Sequence, residues 1–291
     1  MDKSTTTIGF IGLGVMGQSM AGHLIDGGYS LVVYNRTKEK ANALLEKGAK
    51  WADTVADVAK QANVIITIVG YPKDVEEVYL GAEGLIPNAK EGTYFIDMTT
   101  SSPSLAARIY DEAKSRGMHS LDAPVSGGDI GAREARLSIM VGGDQAAFDA
   151  VKPIFELMGQ NIVLQGAAGA GQHTKQCNQI ALASTLMGAV ESMIYAKKAG
   201  LDPIRVLESI ETGAAGSWQL SNLAPKMTSG DFDPGFYIKH FIKDMVIGLE
   251  AAKEMGAELP GLELMKANND KLAEMGHEDL GTQALYKLYD K

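Results

Sequence analysis

Thr7-Ile8-Gly9-Phe10-Ile11-Gly12-Leu13-Gly14-Val15-Met16-Gly17 is the stretch that decides the fold. A short apolar strand pattern runs into glycines spaced G-x-G-x-x-G, and the helical pattern Met16, Met20, His23, Leu24 follows at once. Glycines at that spacing also serve plain strand–turn–helix corners. Between a strand and a helix, inside a βαβ unit, they form the fingerprint of a dinucleotide site. Gly12 permits the tight turn, Gly14 lets backbone approach a pyrophosphate, and Gly17 lets the helix lie against the sheet. The helix N-terminus offers N–H groups and partial positive charge to phosphates, so Leu13, Val15 and Met16 count as cofactor contacts with the glycines.

Outward from this turn the first half keeps alternating. Ser30 to Tyr34, Val64 to Val69, Tyr94 to Met98, His119 to Ala123 and Ser138 to Val141 read as further strands. Helix-length segments separate them, which means βαβ units and a mainly parallel sheet. After about residue 165 helical stretches take over: Gln172 to Ala199, Pro203 to Thr212, Ile238 to Met255 and Gly261 to Met275. Gly166, Gly169 and Gly171 punctuate the change. The expected architecture is α/β: an N-terminal Rossmann-type doubly wound domain over 1–165, then an all-α domain over 166–291, linked by one long helix. The stretch Ile180 to Ala196 reads as a buried helix, and Cys177 as a small core residue.

The end of the second strand selects the cofactor. NAD sites usually carry an acidic residue there, whereas this chain has Asn35-Arg36-Thr37 followed by Lys38. A guanidinium can hold a 2′-phosphate that a carboxylate would repel, so NADP(H) is favoured over NAD(H). Arg36 and Lys38 also fit as solvated charges at the start of the next helix. Val69, Gly70 and Tyr71, after the third long strand, join the expected cofactor contacts.

Two segments can carry chemistry. Asp122-Ala123-Pro124-Val125-Ser126-Gly127-Gly128 begins at a strand's C-terminal end, where open α/β sheets bind ligands. Ser126, Gly127 and Gly128 suit a carboxylate nest and equally suit a simple turn. In Gly169 to Gln179, Lys175, Asn178 and Gln179 lie near one helical face after a glycine-rich entry. An unpaired buried Lys is costly, and two neighbouring carboxamides lift this one above an ordinary solvated lysine. His173 and Cys177 fall off that face, and Ser126 has no evident His–Asp partners.

Composition closes other routes. The 291 residues hold 27 Lys+Arg against 36 Asp+Glu, a formal charge of −9, which argues against phosphate-driven nucleic-acid binding. One cysteine and five histidines give no disulfide and no metal-ligand spacing. A reducing, cytoplasmic setting is the simplest expectation. Met1-Asp2-Lys3-Ser4 runs straight into the first strand, so no leader is expected, and no apolar run is of membrane-spanning length.

Taken together the motifs are similar to those of the β-hydroxyacid dehydrogenases, the group of 3-hydroxyisobutyrate dehydrogenase and the glyoxylate, succinic and tartronate semialdehyde reductases. The resemblance covers essentially the whole chain. It rests on Gly9 to Gly17, Asp97-Met98-Thr99-Thr100, Asp122 to Gly128, Gly169 to Gln179 and Lys243-Asp244. It implies that Lys175 is the catalytic acid/base and that Ser126, Gly127 and Gly128 bind the substrate carboxylate. It further implies that Thr100 and Lys243 touch the cofactor near the nicotinamide, and that Asp244 and Phe236 line the substrate site with Asn178 and Gln179. The expected reaction interconverts a small β-hydroxyacid and its semialdehyde by hydride transfer. A homodimer or homotetramer is expected, with neither membrane nor nucleic acid as partner.

Two positions depart from the family pattern. Gln179 stands where members often have Asn, and Arg136 where many have Gly. Arg136 pointing inward would bind a second anion; the plainer expectation is a solvated side chain. Trp218, in Gly216-Ser217-Trp218-Gln219, reads either as pocket lining or as core. Imine reductases resemble the same scaffold but usually lack the Lys, and 6-phosphogluconate dehydrogenase is much longer. A non-catalytic NADPH sensor is the alternative from another class.

Overall fold

Apolar, β-branched runs build the expected sheet. The computed structural model, which describes residues 1–290, extends it to nine strands among those residues. β1 (Thr7–Ile11), β2 (Ser30–Tyr34), β3 (Lys50–Trp51), β4 (Val64–Thr67), β5 (Tyr94–Asp97) and β6 (His119–Asp122) run parallel in the spatial order β3-β2-β1-β4-β5-β6. β7 (Val125–Ser126) and β8 (Leu137–Gly142) pair antiparallel, and β9 (Gly159–Gly166) runs parallel to β8. The order reverses between β1 and β4, and at such switch points open α/β sheets receive ligands beyond the strands' carboxyl ends.

Helices α1 (Val15–Asp26), α2 (Asn42–Glu46), α3 (Val55–Gln61), α4 (Pro72–Leu80), α5 (Leu85–Asn88), α6 (Pro103–Ser115), α7 (Gly128–Arg133) and α8 (Gln145–Phe155) connect these strands. Ile8, Phe10, Val64 and Ile66 enter one core and Val32, Ile65 and Phe95 another, so the central strands are covered on both sides. Each fully buried side chain of this size stabilises by about 1.5–3 kcal/mol.

The chain divides into two compact units, the first ending at Lys175 and the second starting at Gln176. α9 (Ala170–Lys198) carries that boundary inside it; α10 (Pro203–Ile210), α11 (Trp218–Ser229), α12 (Ile238–Glu254) and α13 (Pro260–Glu274) complete the second unit. Its core gathers Leu186, Val190 and Met193 of α9 with Phe241, Met245, Leu262 and Met265. The boundary falls beyond 165/166 because the start of α9 is bonded to the sheet: Gly169 and Gln172 donate backbone N–H groups to Asp122.

Several local expectations are corrected. β3 and β7 were invisible in the sequence at two residues each, and β9 is mostly exposed, so no apolar run marks it. Helix α11 was missed because Gly216 precedes it and Pro225 interrupts its pattern. Trp218 is its first residue and is 62% exposed, so it is not core. Cys177 is exposed too, and the Ile180–Ala196 stretch is only half-buried: Ala181, Ser184, Gly188 and Tyr195 stay open at helical spacing. An apolar composition does not reveal which face of a helix its own chain covers.

Candidate active site

Two of the three fingerprint glycines answer to the protein's own backbone. A Cβ on Gly12, which holds φ +98°, would sit 2.1 Å from the Ile68 carbonyl oxygen. A Cβ on Gly17 would sit 2.0 Å from the Gly12 carbonyl oxygen. Gly14 differs: a Cβ there meets nothing within 4 Å, at an ordinary φ of −75°. α1 also begins with neither a side-chain cap nor an acidic first turn, and Val15 is 65% exposed. Open space over Gly14 beside uncapped N–H groups fits the pyrophosphate of a dinucleotide. Leu13 contributes otherwise, since its side chain is buried and its N–H donates to Asn35 Oδ1 at 3.0 Å. Asn35 in turn donates to the Thr37 carbonyl at 2.8 Å, tying the end of β2 to the turn.

This contrast yields a prediction. Gly14→Ala leaves the melting temperature within about 2–4 °C, because alanine at this N-cap costs of order 1 kcal/mol. NADP⁺ binding weakens by about tenfold or more, since a methyl group then stands where the phosphates approach. Calorimetric titration beside a thermal melt checks both; unaltered affinity would remove Gly14 from the cofactor site.

At the edge of this turn the Arg36 guanidinium is 78% exposed, with Nη1 3.4 Å from Asp74 Oδ1. Lys38 Nζ lies 5.2 Å from the centre of the Trp51 ring. The guanidinium side of this pair is solvated and the contact is long, and Asp74, though largely buried, keeps another donor, so Arg36 can leave Asp74 for a phosphate at small cost. Asp74 also accepts the Tyr71 N–H at 3.0 Å, fixing the 69–71 loop at the start of α4. Sequence reading missed Asp74, although an acid two residues after Pro72 at a helix start was its signal.

Beneath the loops after β4 and β5 lies a buried polar chain. Thr67 donates its hydroxyl to Asp97 Oδ1 at 2.8 Å and is itself 2.8 Å from the Tyr79 hydroxyl. Asp97 Oδ1 also accepts the Thr99 N–H at 3.1 Å, and Thr99 Oγ1 accepts the Val69 N–H at 3.0 Å. Gln172 of α9 holds the same loop, donating to the Thr99 carbonyl at 2.7 Å and accepting from Ser101 N–H at 2.9 Å. Burial outweighs the hydrogen bonds that Asp97 receives and raises its pKa to about 6.

Lys175 is 7% exposed and donates from Nζ to the Val125 carbonyl at 2.9 Å, one residue before Ser126. Gly127 and Gly128 follow with φ of +132° and +63°, a backbone course that side chains rarely adopt. Asp122 sets the helix that carries Lys175: Oδ1 accepts from Gly169 N–H at 2.7 Å and Oδ2 from Gln172 N–H at 2.8 Å. Burial raises the Asp122 pKa while these donors oppose the rise. Gly171 permits the approach, since a Cβ there would lie 2.4 Å from the Met140 carbonyl oxygen. Arg136 is exposed and paired with Glu134, as expected of a solvated side chain. The sequence showed Asp122 and Gln172 only as motif members; their capping and clasping roles join residues 47 positions or more apart.

In the second unit Asn178 donates to Gln179 Oε1 at 2.8 Å, and Gln179 donates to Asp244 Oδ2 at 2.6 Å. Lys243 Nζ is 2.9 Å from Asp244 Oδ1, both side chains being largely buried. Phe236 stacks obliquely on Phe241 with ring centres 5.7 Å apart. His240 is held below its usual pKa by burial and then by Lys243 and Lys239. Thr100 follows Thr99 in the loop held by Gln172. Among the described residues there is no cluster of three His, Cys, Asp or Glu placed for a metal, and no helix long and apolar enough to cross a membrane.

Comparison with known proteins also gives two parts, which meet earlier, between residues 166 and 169. A family model for the NAD binding domain of 6-phosphogluconate dehydrogenase matches residues 7–166. A second, for the NAD-binding region of NADP-dependent 3-hydroxyisobutyrate dehydrogenase, matches residues 169–289. An uncharacterised oxidoreductase of Bacillus subtilis is 63% identical over 98% of this chain and 99% of its own length. The 2-hydroxy-3-oxopropionate reductase of Escherichia coli is 39% identical over 97% of each chain. The solved structure of Mycobacterium tuberculosis 3-hydroxyisobutyrate dehydrogenase with L-serine superposes with a TM-score of 0.91 at 30% identity, covering 98% of this chain and 99% of that one.

Proposed function

The chain belongs to the β-hydroxyacid dehydrogenase family of NAD(P)-binding oxidoreductases, and from that premise we propose that it interconverts a small β-hydroxyacid and its semialdehyde with NADP(H) as the preferred cofactor. The observation that carries this reading is the buried Lys175, hydrogen-bonded through Nζ to the residue that precedes Ser126-Gly127-Gly128. A carboxylate seated on Ser126, Gly127 and Gly128 sets the rest of a short substrate within reach of Lys175. In reduction Lys175 gives its proton to the carbonyl oxygen; in oxidation its neutral amine takes the proton from the hydroxyl. A bound nicotinamide supplies or takes the hydride. Gly12, Gly14, Val15, Met16 and Gly17 hold the pyrophosphate, Asn35, Arg36 and Thr37 the ribose end, and Val69, Gly70, Tyr71, Thr100 and Lys243 the remainder. Asn178, Gln179, Phe236 and Asp244 belong to the substrate side of the reaction. The first domain thus supplies all but one of the dinucleotide contacts, and the helical one adds Lys243 and serves the substrate and a dimer or tetramer.

Arg36 carries the cofactor preference. Arg36→Ala lowers kcat/KM with NADPH by about 10- to 100-fold, the loss of a charge-assisted phosphate contact, and leaves NADH nearly untouched. Parallel kinetics with both cofactors check it, and an unchanged NADPH:NADH ratio would count against the assignment. The reaction itself is tested by absorbance at 340 nm with glyoxylate, succinic, tartronate and methylmalonate semialdehydes. Turnover with NADPH that disappears in Lys175→Ala supports the proposal; NADPH binding without turnover of any of the four counts against it.

A further inference from the structure

We infer that Asp97 is a positioning residue for the cofactor: its ionised carboxylate holds the 98–101 loop and, through Thr99, the 68–71 loop in the shape that receives NADP(H). The inference rests on the cofactor reading above and adds to it a residue that touches neither substrate nor cofactor. Thr67 and Asp97 are register partners at the carboxyl ends of β4 and β5, beside the switch point. Both loops that leave those ends carry expected cofactor contacts: Val69, Gly70 and Tyr71 on one, Thr100 on the other. One carboxylate oxygen takes the Thr67 hydroxyl and the Thr99 N–H, and the Thr99 hydroxyl takes the Val69 N–H. Gln172 clasps the 98–101 loop from α9, so the same loop is joined to the helix bearing Lys175.

A carboxylate acceptor makes these bonds about twice as strong as a neutral one would. Charge on Asp97 therefore tightens the loops, and a proton taken up there loosens them. The titratable groups facing it are Tyr79 from α4, kept neutral because burial pushes its pKa well above the usual value, and Asp122, its register neighbour on β6. The folded pKa of about 6 exceeds the ordinary 3.8, so folding favours the protonated form. That contribution to stability is present below about pH 3.8 and is lost as pH rises through about 6. The fold thus tolerates a charge that destabilises it at neutral pH, consistent with a use for that charge at the cofactor loops.

The test is calorimetric titration of NADP⁺ into the full-length protein and Asp97→Asn between pH 5.0 and 8.0, with thermal melts at each pH. Asparagine keeps an oxygen for Thr67 and Thr99 but carries no charge. At pH 7.5 the variant binds NADP⁺ about fivefold more weakly than the wild type, yet melts no lower. Wild-type affinity falls toward the variant's as pH drops through 6. The 2′-phosphate of NADP⁺ titrates in the same range but does so for both proteins, so it cancels in the comparison. Equal affinities with equal pH curves overturn the inference. If Asp97→Asn does not fold, Thr99→Val decides by cutting the chain one bond further out. Weaker NADP⁺ binding restored in Thr99→Ser supports the inference, and unchanged binding overturns it. A wild-type protein that binds no NADP⁺ at any pH removes the cofactor reading itself and this inference with it.

Discussion

Lys175→Ala is expected to lower kcat by at least about two orders of magnitude while NADP⁺ affinity stays within about twofold. The size follows from what a positioned proton donor contributes, roughly 10²–10⁴ in rate. The selectivity follows from place. The groups expected to hold the pyrophosphate surround Gly14 at the start of α1, whereas Lys175 is bonded to the Val125 carbonyl beside the Ser126 loop. Alanine also leaves the buried Val125 carbonyl without this donor and removes the packed lysine stem, so a thermal melt is run beside the kinetics to separate any loss of stability from the loss of turnover. The decisive comparison is single-turnover rate against calorimetric affinity on the same preparation. A variant that retains more than about a tenth of wild-type turnover would show that the proton moves through another group.

Asp122→Ala carries the second large effect, in stability and activity together. Both carboxylate oxygens cap the buried start of α9, and alanine leaves the Gly169 and Gln172 N–H groups without acceptors. Each orphaned donor costs about 1–3 kcal/mol, and the relief of no longer burying a carboxylate offsets part of the sum. A net loss of about 3 kcal/mol follows, or a melting temperature lower by roughly 6–12 °C. Lys175 lies one turn beyond Gln172, so kcat falls as its anchor loosens. Asp122→Asn recovers only part of this, since its amide nitrogen cannot accept an N–H. Melting within about 2 °C of wild type with unchanged kcat would show that α9 is held by its apolar contacts alone.

What was legible in the sequence was whatever repeats locally. The glycine spacing after Ile11 announced the turn, because two of those glycines are demanded by clashes within a few residues or one neighbouring strand. The alternation of apolar strands with helix-length segments announced a mainly parallel sheet, though neither β3 nor the spatial order of the strands, and the helical part of the chain showed itself in its periodicity. Lys175, Ser126 and the Arg36 end of β2 stood out by residue type in motif context.

The partners those residues take were decided by tertiary structure. The Val125 carbonyl and the Asp122 carboxylate meet α9 across about fifty residues, and Gln179 meets Asp244 across 65. No local period encodes which strand end a loop will meet. A Cys177 that faces outward and a β9 that pairs despite its polar residues are settled the same way, by what packs against them. Asp97 is the sharpest case: in the sequence it is one acid in a motif, and only burial among Thr67, Thr99 and Tyr79 raises its pKa to about 6. Sequence determines which groups are available along each strand and helix; closing the sheet removes water from some of them and thereby assigns their charge, their partners and their use.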